Sequence, residues 1–249
     1  MHARFFVPGP YGTGDQISLP DLEAHHLTRV LRLGPGDRVR VFDGSGHEFD
    51  AVVADAGKTA VRVHVGESRI AAAEARVAVT VAHAVLKGDK MDAVVRDAVM
   101  MGAVAIQPIV TARSEVTPST LERGRRRERW TRVAVSSVKQ CGRAVVPAIA
   151  EPVPFALLVD ALRQLALPQP AFMFVEPSTG SGALRLADAD AVVPRETTII
   201  IGPEGGWAPE EIEQAAAVAR LITLGGRTLR ADAMATVAMA ALLARWQEF

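Results

Sequence analysis

The sequence predicts a two-part α/β protein, in which a small β-barrel precedes a larger parallel sheet with helices on both faces. Three observations lead to this prediction. In the first 70 residues, short β-type segments are separated by turns rich in Gly, Pro and Asp. From residue 77 onward, β-type and helix-type segments alternate, which is typical of parallel sheets covered by helices. The hydrophobic fraction of 49% over 249 residues is enough to form both cores.

The first part, which we place at residues 1–73, contains four predicted strands and one predicted helix over residues 20–31. Gly34-Pro35-Gly36-Asp37 and Asp43-Gly44-Ser45-Gly46 predict turns, because Gly and Pro favour turn conformations and Asp can bond its own backbone. The segment Ala71–Glu74 reads as a linker. The predicted strands are Arg4–Val7, Arg38–Phe42, Glu48–Ala54 and Ala60–Val65.

The second part, residues 74–249, contains the alternating segments. The predicted strands are Val77–Val85, Val104–Ile109, Ala171–Val175, Thr197–Ile201 and Leu221–Leu224. The predicted helices are Lys90–Met101, Leu121–Gln140, Phe155–Leu165, Pro209–Ala219 and Ala233–Trp246. Ligands of open α/β sheets bind beyond the carboxyl ends of the strands, so the loops after residues 175, 201 and 224 are the candidate site.

Composition narrows the class of protein. The N-terminus lacks the apolar stretch of a secretory signal, and no apolar run has the roughly 20 residues that a membrane span needs, so we expect a cytoplasmic protein without a membrane partner. A single cysteine, Cys141, and the absence of zinc-type spacing argue against a disulfide or a structural metal.

The net charge is zero, but its distribution along the chain is uneven. Residues 87–143 hold 12 Lys/Arg and 6 Asp/Glu, whereas residues 151–249 hold 7 Lys/Arg and 12 Asp/Glu. A polarised surface is therefore compatible with an anionic partner.

The strongest motif follows the strand that ends at Ile201. It reads Gly202-Pro203-Glu204-Gly205-Gly206 and leads into a helix that opens with Pro209 and two glutamates. Glycines let the backbone approach a ligand closely and leave its N–H groups accessible. An ordinary strand-to-helix turn would show the same pattern, so the motif alone leaves both readings open.

Two further motifs follow strand ends. Leu224-Gly225-Gly226-Arg227-Thr228-Leu229-Arg230-Ala231-Asp232 carries two arginines that can hold an anion, although a salt-bridged surface turn would look similar. The segment from Phe172 to Gly182 contains Gly180-Ser181-Gly182, but it has no G-x-G-x-x-G, and the chain has no phosphate-binding G-x-x-x-x-G-K-[ST].

Together these residues resemble the family of 16S ribosomal RNA uridine N3-methyltransferases, ribosomal RNA small subunit methyltransferase E, in the SPOUT superfamily. The resemblance covers nearly the whole chain. It rests on Arg4–Val7, His26–Arg32 with Gly36-Asp37, Lys87–Met91, Trp130–Arg143, Gly202–Gly206 and Leu224–Asp232.

The resemblance implies a PUA-like barrel that binds RNA, a trefoil-knotted α/β domain that binds S-adenosylmethionine, and a homodimer. The implied activity is methylation of N3 of a specific uridine in 16S rRNA, within the small ribosomal subunit. The family motif usually carries a hydroxyl residue where this chain has Ala233, so no role for that hydroxyl is carried over.

The resemblance also implies site residues. A uridine N3 must lose a proton before it attacks a methyl group, so the reaction needs a proton acceptor and donors for the negative charge. We assign these roles to Arg230, Asp232 and Glu204. The expected donor-binding residues are Val175, Glu176, Ile201, Gly202, Pro203, Gly205, Gly206, Leu224, Gly225 and Leu229. The expected RNA contacts are Arg4, Arg29, Arg32, Lys87, Lys90, Lys139 and Arg143.

Two other functions stay open at this stage. A Rossmann-type methyltransferase or nucleotide-dependent enzyme would use the Gly180-Ser181-Gly182 loop, and a non-catalytic RNA-binding protein would bind RNA without the methyl donor. The cluster of six arginines between Arg123 and Arg132 is either an RNA contact or a solvated helix face.

Overall fold

The computed structural model describes residues 2–57, 60–116, 126–165, 169–177, 182–188 and 192–248. The chain divides into two compact units. Unit 1 comprises residues 1–74 and 135–146, and unit 2 comprises residues 75–134 and 147–249. The first break lies one residue from the boundary that we place after residue 73. Residues 135–146 belong to unit 1, and nothing in the local sequence predicts this.

Unit 1 is built on a five-stranded sheet with the order β1-β3-β4-β5-β2, in which β1 and β3 are parallel and the other pairs antiparallel. Its strands are β1 (Arg4–Phe6), β2 (Gln16–Ser18), β3 (Arg38–Phe42), β4 (Glu48–Ala56) and β5 (Val61–Arg69). Each of the four predicted strands is present, whereas β2 is too short for an alternation signal. The predicted helix is an α-helix, α1 (Asp21–His25), that continues as a π-helix over His26–Val30.

Unit 2 contains a parallel sheet with the order β11-β13-β10-β12-β6-β7-β8, and β9 also pairs with β7. Its strands are β6 (Ala78–Ala84), β7 (Ala105–Val110), β8 (Ala148–Ile149), β9 (Val153–Pro154), β10 (Ala171–Phe174), β11 (Leu184–Arg185), β12 (Glu196–Ile201) and β13 (Arg220–Thr223). Every residue of β10 and the last five of β12 are buried, as expected for strands covered on both faces.

The helices after α1 are α2 (Lys90–Met100), α3 (Arg126–Cys141), α4 (Phe155–Arg163), α5 (Pro209–Ala216) and α6 (Ala231–Arg245). Helices cover both faces of the sheet of unit 2. Met173 and Ile200 share a buried cluster with Phe155 and Ala215, which lie on helices α4 and α5. The ring of Phe172, next to Met173 on β10, lies 6.2 Å from that of Trp246, directly after helix α6. Successive strand residues point to opposite faces, so the helices form two layers.

Within the described ranges, no helix has both the length and the apolar character that a membrane span requires. The last helix, α6, has 15 residues and carries Asp232 in its first turn and Arg245 in its last.

Candidate functional site

A pocket of about 380 Å³ lies at the carboxyl ends of three neighbouring parallel strands of unit 2, β13, β10 and β12. Its wall combines the loops that follow these strands with the start of helix α6. The lining residues are 174–177, 201–204, 223–224 and 227–232, with Lys90, Trp207 and Met234. The loops after residues 175, 201 and 224, which the sequence predicts as the candidate site, all line this cavity.

The pocket gathers most of the residues predicted to bind the donor. Its lining includes Val175, Glu176, Ile201, Gly202, Pro203, Leu224 and Leu229. Three predicted glycines, Gly205, Gly206 and Gly225, are not among the described residues that line it. Gly206 shapes the loop instead, because its φ is +70° and a Cβ there would lie 2.8 Å from Oε1 of Glu176.

Trp207 anchors the first glycine loop, and the sequence interpretation gives it no role. Its side chain is 3% exposed, and its Nε1–H donates to the carbonyl of Phe174 at 2.9 Å. Its ring also packs 5.1 Å from the ring of Phe155. A Cβ on Gly202 would lie 2.8 Å from Cε2 of Trp207, so only glycine lets this loop lie against the indole. A buried tryptophan needs an acceptor for its N–H, but the sequence shows neither the burial of Trp207 nor the position of this acceptor.

The glycine loop is also tied to the start of helix α5. The carboxylate of Glu211 is buried, with 7% exposure, and accepts hydrogen bonds from the N–H groups of Ala208 at 3.0 Å and Ala112 at 2.8 Å. A carboxylate in the first helical turn also interacts favourably with the helix dipole. Glu211 thereby joins the loop after β12 to the loop after β7.

Two ion pairs lie in the pocket wall and contain all three predicted catalytic residues. Arg230 donates to both carboxylate oxygens of Asp232, at 3.0 and 2.9 Å. Hydrogen bonding by Arg230 holds the pKa of Asp232 below its usual value. Lys90 donates to Oε1 of Glu204 at 3.1 Å. Lys90, predicted as an RNA contact, thus lies at the pocket as well.

Two cations predicted to contact RNA, Arg4 and Arg143, are almost fully buried by their contacts within unit 1. The side chain of Arg4 is 8% exposed, pairs with Glu48 at 2.9 Å and donates to four backbone carbonyls of residues 138–143. The side chain of Arg143 is 5% exposed and pairs with Glu74. A phosphate contact by either guanidinium would require these buried contacts to break, because the structure uses both groups to hold unit 1 together.

The other predicted RNA contacts are more accessible. Arg29 and Arg32 are exposed on unit 1. The side chain of Lys87 in unit 2 is 73% exposed and pairs with Glu115. Lys139 is less accessible, with 17% exposure, and donates to Glu23 at 2.7 Å.

Two sequence motifs lie partly outside the described residues. These are Arg123 and Arg125 of the arginine cluster and Gly180-Ser181 of the third glycine motif. Within the cluster, Arg127 pairs with Glu151 and Arg129 with Asp92, both in unit 2. These two pairs favour the reading of this segment as a solvated helix face.

The comparisons with known proteins agree with this architecture. A family model described as RNA methyltransferase domain matches residues 73–243. The chain belongs to this RNA methyltransferase family. A second model, RNA methyltransferase PUA domain, matches residues 19–66 within unit 1. The predicted family and the predicted fold with a PUA-like domain are confirmed.

Similar proteins and solved structures support the assignment. Ribosomal RNA small subunit methyltransferase E of Synechocystis sp. is 32% identical over 227 residues, which cover 90% of this chain and 71% of that protein. The Bacillus subtilis protein of the same name is 27% identical over 91% of this chain and 89% of its own length. The crystal structure of the Neisseria gonorrhoeae protein of that name, bound to S-adenosyl methionine, is 27% identical and superimposes with a TM-score of 0.88 over 99% of this chain and 98% of that chain. A methyltransferase of Legionella pneumophila in complex with the same cofactor gives 26% identity, a TM-score of 0.87 and 98% coverage of both chains.

Proposed function

We propose that this chain transfers a methyl group from S-adenosylmethionine to N3 of a specific uridine in 16S rRNA of the small ribosomal subunit. The observation that carries the proposal is the single pocket formed by the glycine loops after β12 and β13. The names of the relatives support the rRNA substrate, and two structural neighbours with the bound cofactor support the donor.

The pocket residues fit the donor. A volume of about 380 Å³ lies within the range of roughly 300–1,000 Å³ that is common for small-molecule sites. The backbone groups of Gly202, Leu224 and Leu229 are the proposed contacts to adenine and ribose, with Val175 and Glu176 on the same wall. The bound donor supplies a methyl group on a positively charged sulfur. The carboxylates of the wall suit this charge, and the glycine backbone permits close approach.

Arg230 is the proposed stabiliser of charge on the target base. Negative charge develops on the carbonyl oxygens that flank uridine N3 when its proton leaves, and fixed N–H donors stabilise such charge. The guanidinium has more N–H groups than the two that Asp232 accepts, so it can serve the base while the pair is intact.

The proton acceptor is assigned to Glu204 rather than Asp232. Two hydrogen bonds from Arg230 stabilise the charged form of Asp232 and make it a weaker base, consistent with its lowered pKa. Glu204 receives a single hydrogen bond from Lys90 at 3.1 Å. Asp232 therefore orients Arg230, and Glu204 takes the proton.

The RNA substrate must present an accessible base, because N3 of a paired and stacked uridine cannot reach a pocket. Exposed cations position the RNA through its phosphates, and we assign this role to Arg29, Arg32, Lys87 and Lys90.

The proposal includes a homodimer, a cytoplasmic location and a trefoil knot at the loops after β12 and β13. The strand order and the shared pocket bring the two loops that would form the knot together at one edge of the sheet.

Methyl transfer to ribosomal subunits tests the proposal. Small subunits from cells that lack this protein are incubated with the chain and with S-adenosylmethionine labelled in its methyl group, and the modified nucleotide is mapped. The expected result is one labelled uridine, modified at N3, with Arg230→Gln strongly slowed at saturating donor. Label at another base or atom, or no label with any rRNA substrate, would contradict the proposal.

A further inference from the structure

His83 is a buried ionisable residue directly beside the proposed catalytic pair. It lies on β6, between β12 and β7, and its side chain is fully buried. Its Nδ1 lies 2.7 Å from the carbonyl oxygen of Ala84. Its Nε2 lies 3.0 Å from the carbonyl oxygen of Ala231. Both ring nitrogens therefore face a hydrogen-bond acceptor.

Both contacts are hydrogen bonds at the same time only when the ring carries two protons. A backbone carbonyl oxygen only accepts, and a neutral imidazole carries one N–H, so the neutral ring donates to one of the two carbonyls and turns a lone pair towards the other. The imidazolium form donates to both. The proton of the neutral ring is assigned to Nδ1, which has the shorter contact, 2.7 Å to Ala84 against 3.0 Å from Nε2 to Ala231. The contact to Ala231 therefore becomes a hydrogen bond only when His83 is protonated.

Ala231 connects the ring to the pocket. It is the first residue of helix α6, it lies between Arg230 and Asp232, and all three line the pocket. A hydrogen bond to its carbonyl fixes the turn that carries the Arg230–Asp232 pair.

The surroundings of His83 have opposing effects on its pKa. Burial lowers the pKa of His83 from its usual value, whereas the two carbonyls and the carboxylates of Glu204 and Asp232 act in the opposite direction. Each carboxylate has a cationic partner, Lys90 and Arg230 respectively. The strand neighbours of His83 in the register, Ile201 and Pro108, do not titrate.

We propose that His83 is a positioning residue whose second ring proton completes the hydrogen bond to Ala231 and thereby holds Arg230 and Asp232 in the geometry that binds the methyl donor. The inference rests on the proposed function, because it concerns affinity for S-adenosylmethionine.

Calorimetric titration of the full chain with S-adenosylmethionine tests this inference, at a series of pH values from about pH 7 down to the lowest pH at which the chain stays folded. We expect the wild-type affinity to be roughly twofold to tenfold higher at the acidic end, which is the range for one net hydrogen bond. His83→Gln carries an amide N–H at every pH and should give a flat profile. The matched control is His64→Gln, an exposed histidine of β5 in unit 1, which should keep the wild-type profile.

A His83→Gln profile that follows the wild type would overturn the inference while leaving the proposed function intact. If the wild type binds no S-adenosylmethionine at any pH, the proposed function fails and the inference fails with it.

A second measurement needs no variant. By reciprocal linkage, bound donor must lower the acid dissociation constant of His83 by the same factor by which protonation strengthens donor binding, so the pKa of His83 rises. Nitrogen-15 NMR of histidine-labelled wild-type chain, with His83 assigned through its contacts to Ala84 and Ala231, measures this pKa with and without S-adenosylmethionine. An unchanged pKa on saturation with the donor would overturn the inference.

Discussion

Replacing Gly202 by alanine tests whether the first glycine loop depends on its close approach to Trp207. The new Cβ would lie 2.8 Å from Cε2 and 2.9 Å from Nε1 of the indole. Favourable separations between such atoms begin at about 3.5 Å, so either the loop or the ring must move.

The ring cannot move cheaply. Its N–H donates to the carbonyl of Phe174 inside the protein, and its face packs against Phe155. Loss of a buried hydrogen bond costs about 1–3 kcal/mol, and overpacking a core contact costs a similar amount. We expect Gly202→Ala to destabilise the protein by about 2 kcal/mol and to lower its melting temperature by roughly 4–8 °C. Displacement of the loop should also weaken binding of S-adenosylmethionine by about tenfold or more.

Thermal unfolding and calorimetric titration measure both effects. Gly226→Ala is the matched control, because a Cβ at Gly226 meets nothing within 4 Å. This variant should stay within about 0.5 kcal/mol of the wild type. If Gly202→Ala binds the donor and melts like the wild type, the contact with Trp207 does not determine the loop.

Three further predictions concern charged groups. Arg4→Ala should destabilise unit 1 by about 3–5 kcal/mol in chemical unfolding, because it leaves the carboxylate of Glu48 buried without its main partner. Joint replacement of Arg29 and Arg32 by Gln should reduce the slope of log affinity against log salt by about 1.4 for single-stranded rRNA fragments. Because burial lowers the pKa of His83, the unfolded chain binds more protons below about pH 6.5. The stability contributed by this residue is therefore present above that pH and lost as the pH falls, which urea unfolding at several pH values measures.

Each of these predictions has a matched control. Arg69→Ala removes a half-exposed pair with Asp50 and should cost less than about 1 kcal/mol. Arg163→Gln, an exposed arginine of α4, should leave the salt dependence unchanged. His83→Gln should lose the acid sensitivity assigned to this residue. An equal loss of stability in Arg4→Ala and Arg69→Ala would refute the first prediction. An unchanged salt slope in the Arg29 and Arg32 double variant would refute the second. Equal acid sensitivity of the wild type and His83→Gln would refute the third.

Local patterns predict the elements of this fold because strands and turns leave short-range signals. The stretch from Ile199 to Pro209 shows this well, since a continuous apolar run, three glycines and two prolines give a buried strand, a loop and a helix start. The π-helical turn at His26–Val30 could not be predicted, because the same residue pattern is equally typical of an α-helix.

Long-range pairing explains what sequence reasoning missed. Arg4 resembles an exposed cation in sequence, yet its partners lie 44 residues away at Glu48 and more than 130 residues away in residues 138–143. No periodicity encodes such pairs. His83 looks like an ordinary core residue in an apolar strand until the structure places Ala231 beside it, 148 residues along the chain.

The order of the strands determines which motifs meet in the pocket. The two strongest glycine motifs follow β12 and β13, which are consecutive in sequence but separated in the sheet by β10. Parallel neighbours end at the same edge, so the residues after β10 must lie between the two glycine loops. This position explains why Val175 and Glu176 line the pocket although their own motif is weak in sequence. The same order places the buried carbonyl of Phe174 within reach of Trp207. The middle strand thus supplies the acceptor that anchors the first glycine loop, and a change that displaced β10 would alter both walls of the pocket together.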